Sequence, residues 1–417
     1  MNTKNVGLYI HIPFCKQKCQ YCDFNSYAGK ENLIETYMKW VEFELKGVGE
    51  GNRVDYENNL DDLIVVKSIY IGGGTPSFID SKYIEKIMEI VKECYTIDSN
   101  AEITIEVNPG TVSQKKLETY LNSGINRISI GLQSTHNEIL SKLGRVHSYE
   151  EFLYTYNLAR KVGLKNINVD LMLGLPNQSL NDLQESITEV VNLEPEHISV
   201  YSLIIENGTP FCEKLEKQEI ALPSDELERA MYWETKRKLE KAGYTHYEIS
   251  NFAKPGFESK HNLSCWNQEE YIGIGASAHS YTNNVRYSNI DSIEDYIRNY
   301  ENGNEIDNFV FHEKQNKESK MKEFMMLGLR KIQGIHIQDF KNKFGENPIY
   351  LYKKELEKLV NEELLEIDGD VIKLTNKGID LANLVWEEFV WAVEKELQFW
   401  RCQTSFKIYS TYTEYAS

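Results

Sequence analysis

The sequence predicts an α/β protein: a partial (β/α)6 barrel with a small winged-helix-like α+β domain near its C-terminal end. Three observations predict it. Six short strand-like runs alternate with helical segments, the pattern of a parallel sheet with right-handed crossovers. The runs stop at turn-forming or polar clusters, where the functional residues of such barrels belong. From Lys317 the texture changes to three helices and a hairpin turning at Asp368-Gly369-Asp370.

Taken in order, Leu8 to Ile12 alternates as a strand does, and Pro13 ends it. Glu31 to Lys46 reads as an amphipathic helix. Val66 to Ile71 is a strand running into Gly72-Gly73-Gly74-Thr75-Pro76, followed by a helix from Ser81 to Glu93. Ile103 to Val107 ends at Asn108-Pro109-Gly110, with a helix to about Ser123. Arg127 to Leu132 ends at Gln133-Ser134, with helices at Asn137 to Leu143 and Tyr149 to Val162. Ile167 to Leu173 ends at Gly174-Leu175-Pro176, with a helix from about Leu180 to Leu193. His197 to Leu203 is the sixth strand. Ser224 is placed to cap a long helix to about Ala242, with Asp225 and Glu226 favourably set in its first turn.

These elements divide the chain into a barrel over 1–243, a connecting segment over 244–300, a helical, winged-helix-like domain over 301–390, and a tail over 391–417 without clear period. The connecting segment is rich in glycine and aromatics. Its weak periodicity predicts loops and short strands packed over the barrel mouth. In the last domain, helices at Glu318 to Ile332, Ile337 to Phe344 and Tyr350 to Asn361 precede a hairpin at Leu364 to Leu374 and a closing helix from Thr375 to Val390.

With 417 residues the chain is long enough for a large core, and its 41% hydrophobic and 26% charged residues are ordinary for a globular protein. A net charge of −18 argues against a nucleic-acid partner, including for the winged-helix-like domain. No apolar run reaches the ~20 residues of a membrane span, and the N-terminus has no signal-peptide core. Seven cysteines, three of them clustered, argue against a disulfide framework and for a reducing cytoplasm.

The three clustered cysteines, Cys15, Cys19 and Cys22, are spaced C-x3-C-x2-C on one loop after the first strand. Three thiolates so placed can bind three irons of a [4Fe-4S] cubane and leave the fourth iron open. Such clusters usually take four cysteines. Zinc is a competing reading, but structural zinc wants four ligands and no second pair follows. A chance grouping of free thiols is the other.

C-x3-C-x2-C with an aromatic, Tyr21, before its last cysteine resembles the signature of the radical S-adenosylmethionine (radical SAM) family. The surrounding words, YIHIPFC and CDFNSY, are similar to the oxygen-independent coproporphyrinogen III oxidase group and its haem-chaperone relatives. The resemblance covers about Tyr9 to Val390. It implies a radical SAM barrel whose open iron chelates SAM, with Tyr21 near the adenine. It further implies SAM contacts at Tyr9, at Gly73, Gly74 and Thr75, and at Glu106, Gln133, Arg145 and Asp170. Singly, each has an ordinary reading: a glycine-rich turn, an exposed carboxylate at a strand end, a surface polar residue.

Two positions separate the branches. The oxidases extend the motif to a further cysteine, where this chain has Phe24. The chaperones carry a haem motif, H-N-x-x-Y-W, where this chain reads His261-Asn262-Leu263-Ser264-Cys265-Trp266. The resemblance therefore implies haem binding through His261, with Cys265 in the tyrosine's place. If the segment is helical, the two side chains share a face one turn apart. The favoured function is a haem chaperone that passes haem to recipient haem proteins, with a homodimer compatible. The alternative is radical oxidative decarboxylation of porphyrinogen propionates. A third reading is a binding module that keeps the cluster for structure or dimerisation.

Overall fold

The computed structural model describes residues 3–51 and 63–390. The tail over 391–417, including Cys402, lies outside them. Six parallel strands stand in sequence order: β1 (Thr3–Ile12), β2 (Leu63–Gly73), β3 (Thr96–Val107), β4 (Arg127–Gln133), β5 (Asn166–Leu173) and β6 (His197–Ser202). Helices Ile34–Gly49, Ser81–Cys94, Gln114–Ser123, Tyr149–Val162 and Leu180–Asn192 join them. Ser148 and Ser179 close capping boxes with Glu151 and Asp182, which satisfy amides that each helix start would otherwise leave unpaired.

The strands have two chemically different faces. Ile69, Ile71, Ile103, Ile105, Ile128, Ile130, Ile167 and Val169 are fully or almost fully buried in one apolar core with the helices. The alternate residues are polar and bond to one another inside the barrel: Tyr70 to Glu106, Ser129 to Asp170, and Asn168 to His197. Strands of a parallel sheet usually read apolar on both faces. The alternation here marks an interior that holds polar groups.

The segment after residue 243 departs from expectation. The short strands form as expected, but they widen the sheet at both edges instead of packing over the barrel mouth. Strands β7 (Thr245–Glu248) and β8 (Asn251–Ala253) extend it antiparallel beyond β6. Strand β9 (Tyr271–Ile274) runs parallel to β1, and β10 (His279–Thr282), β11 (Val285–Asn289) and β12 (Phe309–Lys314) follow antiparallel, making twelve strands. Gly273 is required there: a β-carbon would lie 2.1 Å from the His279 carbonyl oxygen. These runs of three to six residues are too short for their period to show which edge they join.

The C-terminal domain has the expected hairpin, Leu365–Asp368 with Val371–Leu374, joined by Ile335–His336 into a three-stranded sheet. Three expected helices are shorter or broken. The first ends at Gly328, before Ile335–His336 pairs; the third splits at Tyr352 and the closing one at Leu381, whereas Ile337–Phe344 forms with the expected bounds. Among the described residues no helix is long and apolar enough to cross a membrane.

Candidate functional site

At the C-terminal ends of β1 to β6 the barrel opens into a cavity of about 1160 Å³ including its mouth. Cys15, Cys19, Cys22, Tyr21, Gly73, Gly74, Thr75, Glu106, Gln133, Arg145 and Asp170 all line it. Tyr9, His261 and Cys265 do not.

The cysteine loop is held from both sides. Phe14–Cys15 pairs with Tyr27–Ala28 in a short parallel ladder, and the Gln20 amide donates to the Leu143 carbonyl at 3.0 Å. Each thiol has its own polar neighbour. Thr75 Oγ1 donates to Cys15 Sγ at 3.5 Å, Arg145 Nη1 donates to Cys19 Sγ at 3.5 Å, and Ser26 Oγ lies 4.0 Å from Cys22 Sγ. None of the three is in a disulfide. Among the described residues no three His, Cys, Asp or Glu groups converge on a single-ion position. Hydrogen bonds to sulfur are among the groups that tune iron–sulfur clusters. Burial pushes the Cys15 thiol up and the Cys22 thiol up to about 11, so both hold protons until a metal displaces them.

Gly73 and Gly74 are glycine because β1 ends against them. Gly73 has φ +113°, and a β-carbon there would sit 2.5 Å from the His11 ring. At Gly74 it would sit 2.9 Å from the Phe14 carbonyl oxygen. The Gly73 amide donates to Glu106 Oε2 at 3.2 Å, and the Gly74 amide donates to the Ile12 carbonyl at 2.9 Å. The bare surface that a ligand can approach is thus a consequence of strand packing.

Glu106 also accepts from the Tyr70 hydroxyl at 2.8 Å. Burial pushes its carboxyl up to about 7, with Tyr70 working the other way. Gln133 is aimed by a bulge: the register slips between Gly131 and Gln133, and Gln133 sits at φ +75°. Arg145 bridges three elements, donating through Nη2 to Asn108 Oδ1 and the Gly131 carbonyl, both at 2.7 Å, besides Cys19. Asp170 accepts from Ser129 Oγ at 3.0 Å and Asn168 Nδ2 at 2.7 Å, and burial holds its carboxyl above the usual range.

Asn108 is a residue the sequence reading passed over. It joins Thr75 Oγ1 at 3.0 Å to Arg145, so one amide positions two groups that touch cysteine sulfurs. Its place in Asn108-Pro109-Gly110 at a strand end was the available signal.

The remaining three expected residues lie elsewhere. Tyr9 is buried one inward position back from His11, its hydroxyl donating to His11 Nδ1 at 2.9 Å while His11 Nε2 donates to the Asn25 carbonyl. The His11 ring stands between Tyr9 and Gly73. Tyr9 therefore stands behind the cavity lining, and His11 lies between it and the Gly73 rim.

His261 sits in helix Lys260–Trp266, at the opposite end of the barrel interior. Its Nδ1 is 2.9 Å from Ser68 Oγ, and its backbone amide donates to Glu102 Oε1 at 3.3 Å. Ser68 and Glu102 are each five residues before their strand ends, which puts His261 roughly 15 Å along the strands from the cavity. Only 8% of its surface is exposed, and burial lowers its pKa to about 4, so the ring is neutral.

Cys265 is half-buried one turn on, its thiol pushed up to about 12 by burial. Trp266 is packed into the C-terminal core, where the Arg330 guanidinium lies between the Trp266 and Trp386 rings at 4.5 and 4.8 Å from their centroids. These residues do not form an open haem site in this conformation.

Comparison with known proteins bears on the family and the fold. Residues 9–190 match the radical SAM superfamily, and residues 315–381 match the HemN C-terminal domain. The chain is 35% identical over 390 residues to Heme chaperone HemW of Lactococcus lactis, covering 94% of this chain and 98% of that protein. The chain belongs to the HemW family of radical SAM proteins. It is also 36% identical to Heme chaperone HemW of Bacillus subtilis, covering 92% of this chain and 98% of that one. Among solved structures, coproporphyrinogen III oxidase (HemN) from Escherichia coli superposes with a TM-score of 0.79 at 22% identity, over 93% of this chain and 90% of that one. That likeness shows a common fold.

Proposed function

We propose that this HemW-family chain is a cytoplasmic haem chaperone. It holds a [4Fe-4S] cluster on Cys15, Cys19 and Cys22, binds SAM in the adjoining cavity, binds haem, and passes it to recipient haem proteins. The observation that carries the reading is similarity over nearly the whole length to proteins named Heme chaperone HemW. Phe24 supports it, because a phenyl group lines the cavity at the oxidase group's extra cysteine position.

When bound, the cluster supplies an open iron site for a chelating ligand. The chain's own groups do the rest. Thr75 and Arg145 donate to the cysteine sulfurs and spread their charge. Glu106 is placed to accept from a ligand amino group, and the Arg145 guanidinium to take a carboxylate. Gln133 and Asp170 reach the cavity from neighbouring strands, and Tyr21 offers a ring face against the Cys22 side.

Glu106 makes SAM binding depend on pH. Below about 7 the empty chain keeps Glu106 protonated. SAM carries a fixed sulfonium charge and its amino group donates hydrogen bonds, both of which favour the carboxylate, so binding expels a proton from Glu106. SAM affinity should therefore rise with pH, at most about tenfold per unit, and level off above about 7. Isothermal titration in buffers of different ionisation enthalpy reads this directly; Glu106→Gln should flatten the profile.

The functional reading is tested by anaerobic reconstitution with iron and sulfide, then separate assays for haem and for coproporphyrinogen. The expected result is a saturable Soret change with no porphyrinogen conversion. His261→Ala should weaken haem binding by at least about tenfold, the loss of one iron ligand. Cys265→Tyr should leave binding intact or improved and remove any thiolate signature. Conversion of porphyrinogen with stoichiometric SAM consumption would assign the oxidase activity instead.

A further inference from the structure

Tyr70 stands on β2 between two regions that the proposed function gives to different ligands. Its hydroxyl donates to Glu106 Oε1 at 2.8 Å, on the cavity side. Its ring stacks on the other side against His261, with centroids 5.2 Å apart and planes at 27°. Ser68, the preceding inward residue of the same strand, holds His261 Nδ1 at 2.9 Å. One strand thus carries both the seat of the haem-motif histidine and the partner of the cavity carboxylate.

A second buried path runs alongside. Glu102 accepts from the His261 amide at 3.3 Å and from Ser259 Oγ at 3.2 Å. The Ser259 amide donates to the Tyr247 hydroxyl at 3.2 Å, which lies 2.8 Å from His197 Nε2. His197 Nδ1 meets Asn168 Oδ1 at 2.6 Å, and Asn168 Nδ2 donates to Asp170 Oδ1 at 2.7 Å. Both cavity carboxylates are therefore joined, through side chains, to the start of helix Lys260–Trp266.

We propose that Tyr70 sets the SAM cavity and the haem-motif helix against each other: SAM held at Glu106 keeps His261 inside the barrel, and haem ligation by His261 weakens SAM binding. This rests on the ligand assignments proposed above. With 8% of its surface exposed, His261 has no room beside it for a porphyrin. Ligation requires the ring to leave, which breaks the Ser68 bond and strips Tyr70 of its stacking partner.

The SAM cation at Glu106 acts in the opposite sense. It favours the carboxylate, and the Tyr70 bond then becomes charge-assisted, about twice as strong as a neutral one. That fixes the ring against which His261 packs. Glu106 is poised to respond because burial pushes it up to about 7. The charged and titratable groups facing it and Tyr70 are Asp170, Arg127 and Tyr201. Linkage makes the effect reciprocal: haem must weaken SAM by the same factor as SAM weakens haem.

The test uses the cluster-loaded full chain under anaerobic conditions. Ferric haem is titrated by its Soret band with and without saturating SAM, and SAM is titrated calorimetrically with and without haem. Both affinities should fall by the same factor, roughly five-fold at the modest end of such couplings. In Tyr70→Phe, which keeps the ring and removes the hydroxyl, the factor should fall to about one. Equal haem affinity with and without SAM, tighter haem binding with SAM, or an undiminished factor in Tyr70→Phe overturns the proposal. The wild-type comparison decides even where that variant fails to fold. His261→Ala separates the underlying reading: unchanged haem affinity there refutes ligation by His261, and the antagonism falls with it.

Discussion

Cys15→Ala is expected to abolish the visible absorbance of the reconstituted cluster, and the bound iron with it. A cubane held by three protein thiolates has no spare ligand, so losing one leaves two of its irons without a protein ligand. Cys15 is the most enclosed of the three. It is buried just past the end of β1, beside Thr75, and its loop has no fourth thiol to take its place. Cys19→Ala and Cys22→Ala should do the same. Cys94→Ala and Cys212→Ala should retain about four irons per chain. Iron and sulfide analysis with the absorbance spectrum checks both sets. A full complement of cluster iron in the triple variant would remove this site from consideration.

Joint replacement of Arg145 and Asp170 by alanine should weaken SAM by about a hundred-fold or more, some 3 kcal/mol, because charge-assisted bonds to a ligand are among the strong ones. The two residues approach the cavity from neighbouring strand ends: Arg145 follows β4 and bonds the Gly131 carbonyl, and Asp170 on β5 lies opposite Gly131 in register. Arg145 ties the cysteine loop to Asn108 and the Gly131 carbonyl, while Asp170 is held by Ser129 and Asn168. Arg145→Lys is the informative single change. A lysine keeps the charge but not the fork that reaches three acceptors, so affinity should fall well short of wild type. Calorimetric titration on cluster-loaded protein measures it. Unaltered SAM affinity in the double variant would place SAM elsewhere.

Legibility followed the range of the interactions. The cysteine loop could be read because its spacing lies within eight residues, and the barrel because each strand and helix has its own period. Glu106, Gln133, Arg145 and Asp170 could be read because parallel strands bring their ends to one rim. Gln133's bulge and Asn108's bridging role could not, since both depend on what a neighbouring strand presents.

By itself the sequence determined the order of strands and helices in the barrel, the three-thiol loop and the family these belong to, because those features rest on local period and spacing. Only the tertiary structure decided where residues 244–314 pair, that Tyr9 bonds to His11 behind the cavity lining, and that His261 sits inside the barrel against Tyr70. The Ser68–His261 bond spans 193 residues. No local pattern encodes which strand a seven-residue helix will face; burial of its ring, and the polar groups that must be satisfied inside the barrel, settle it.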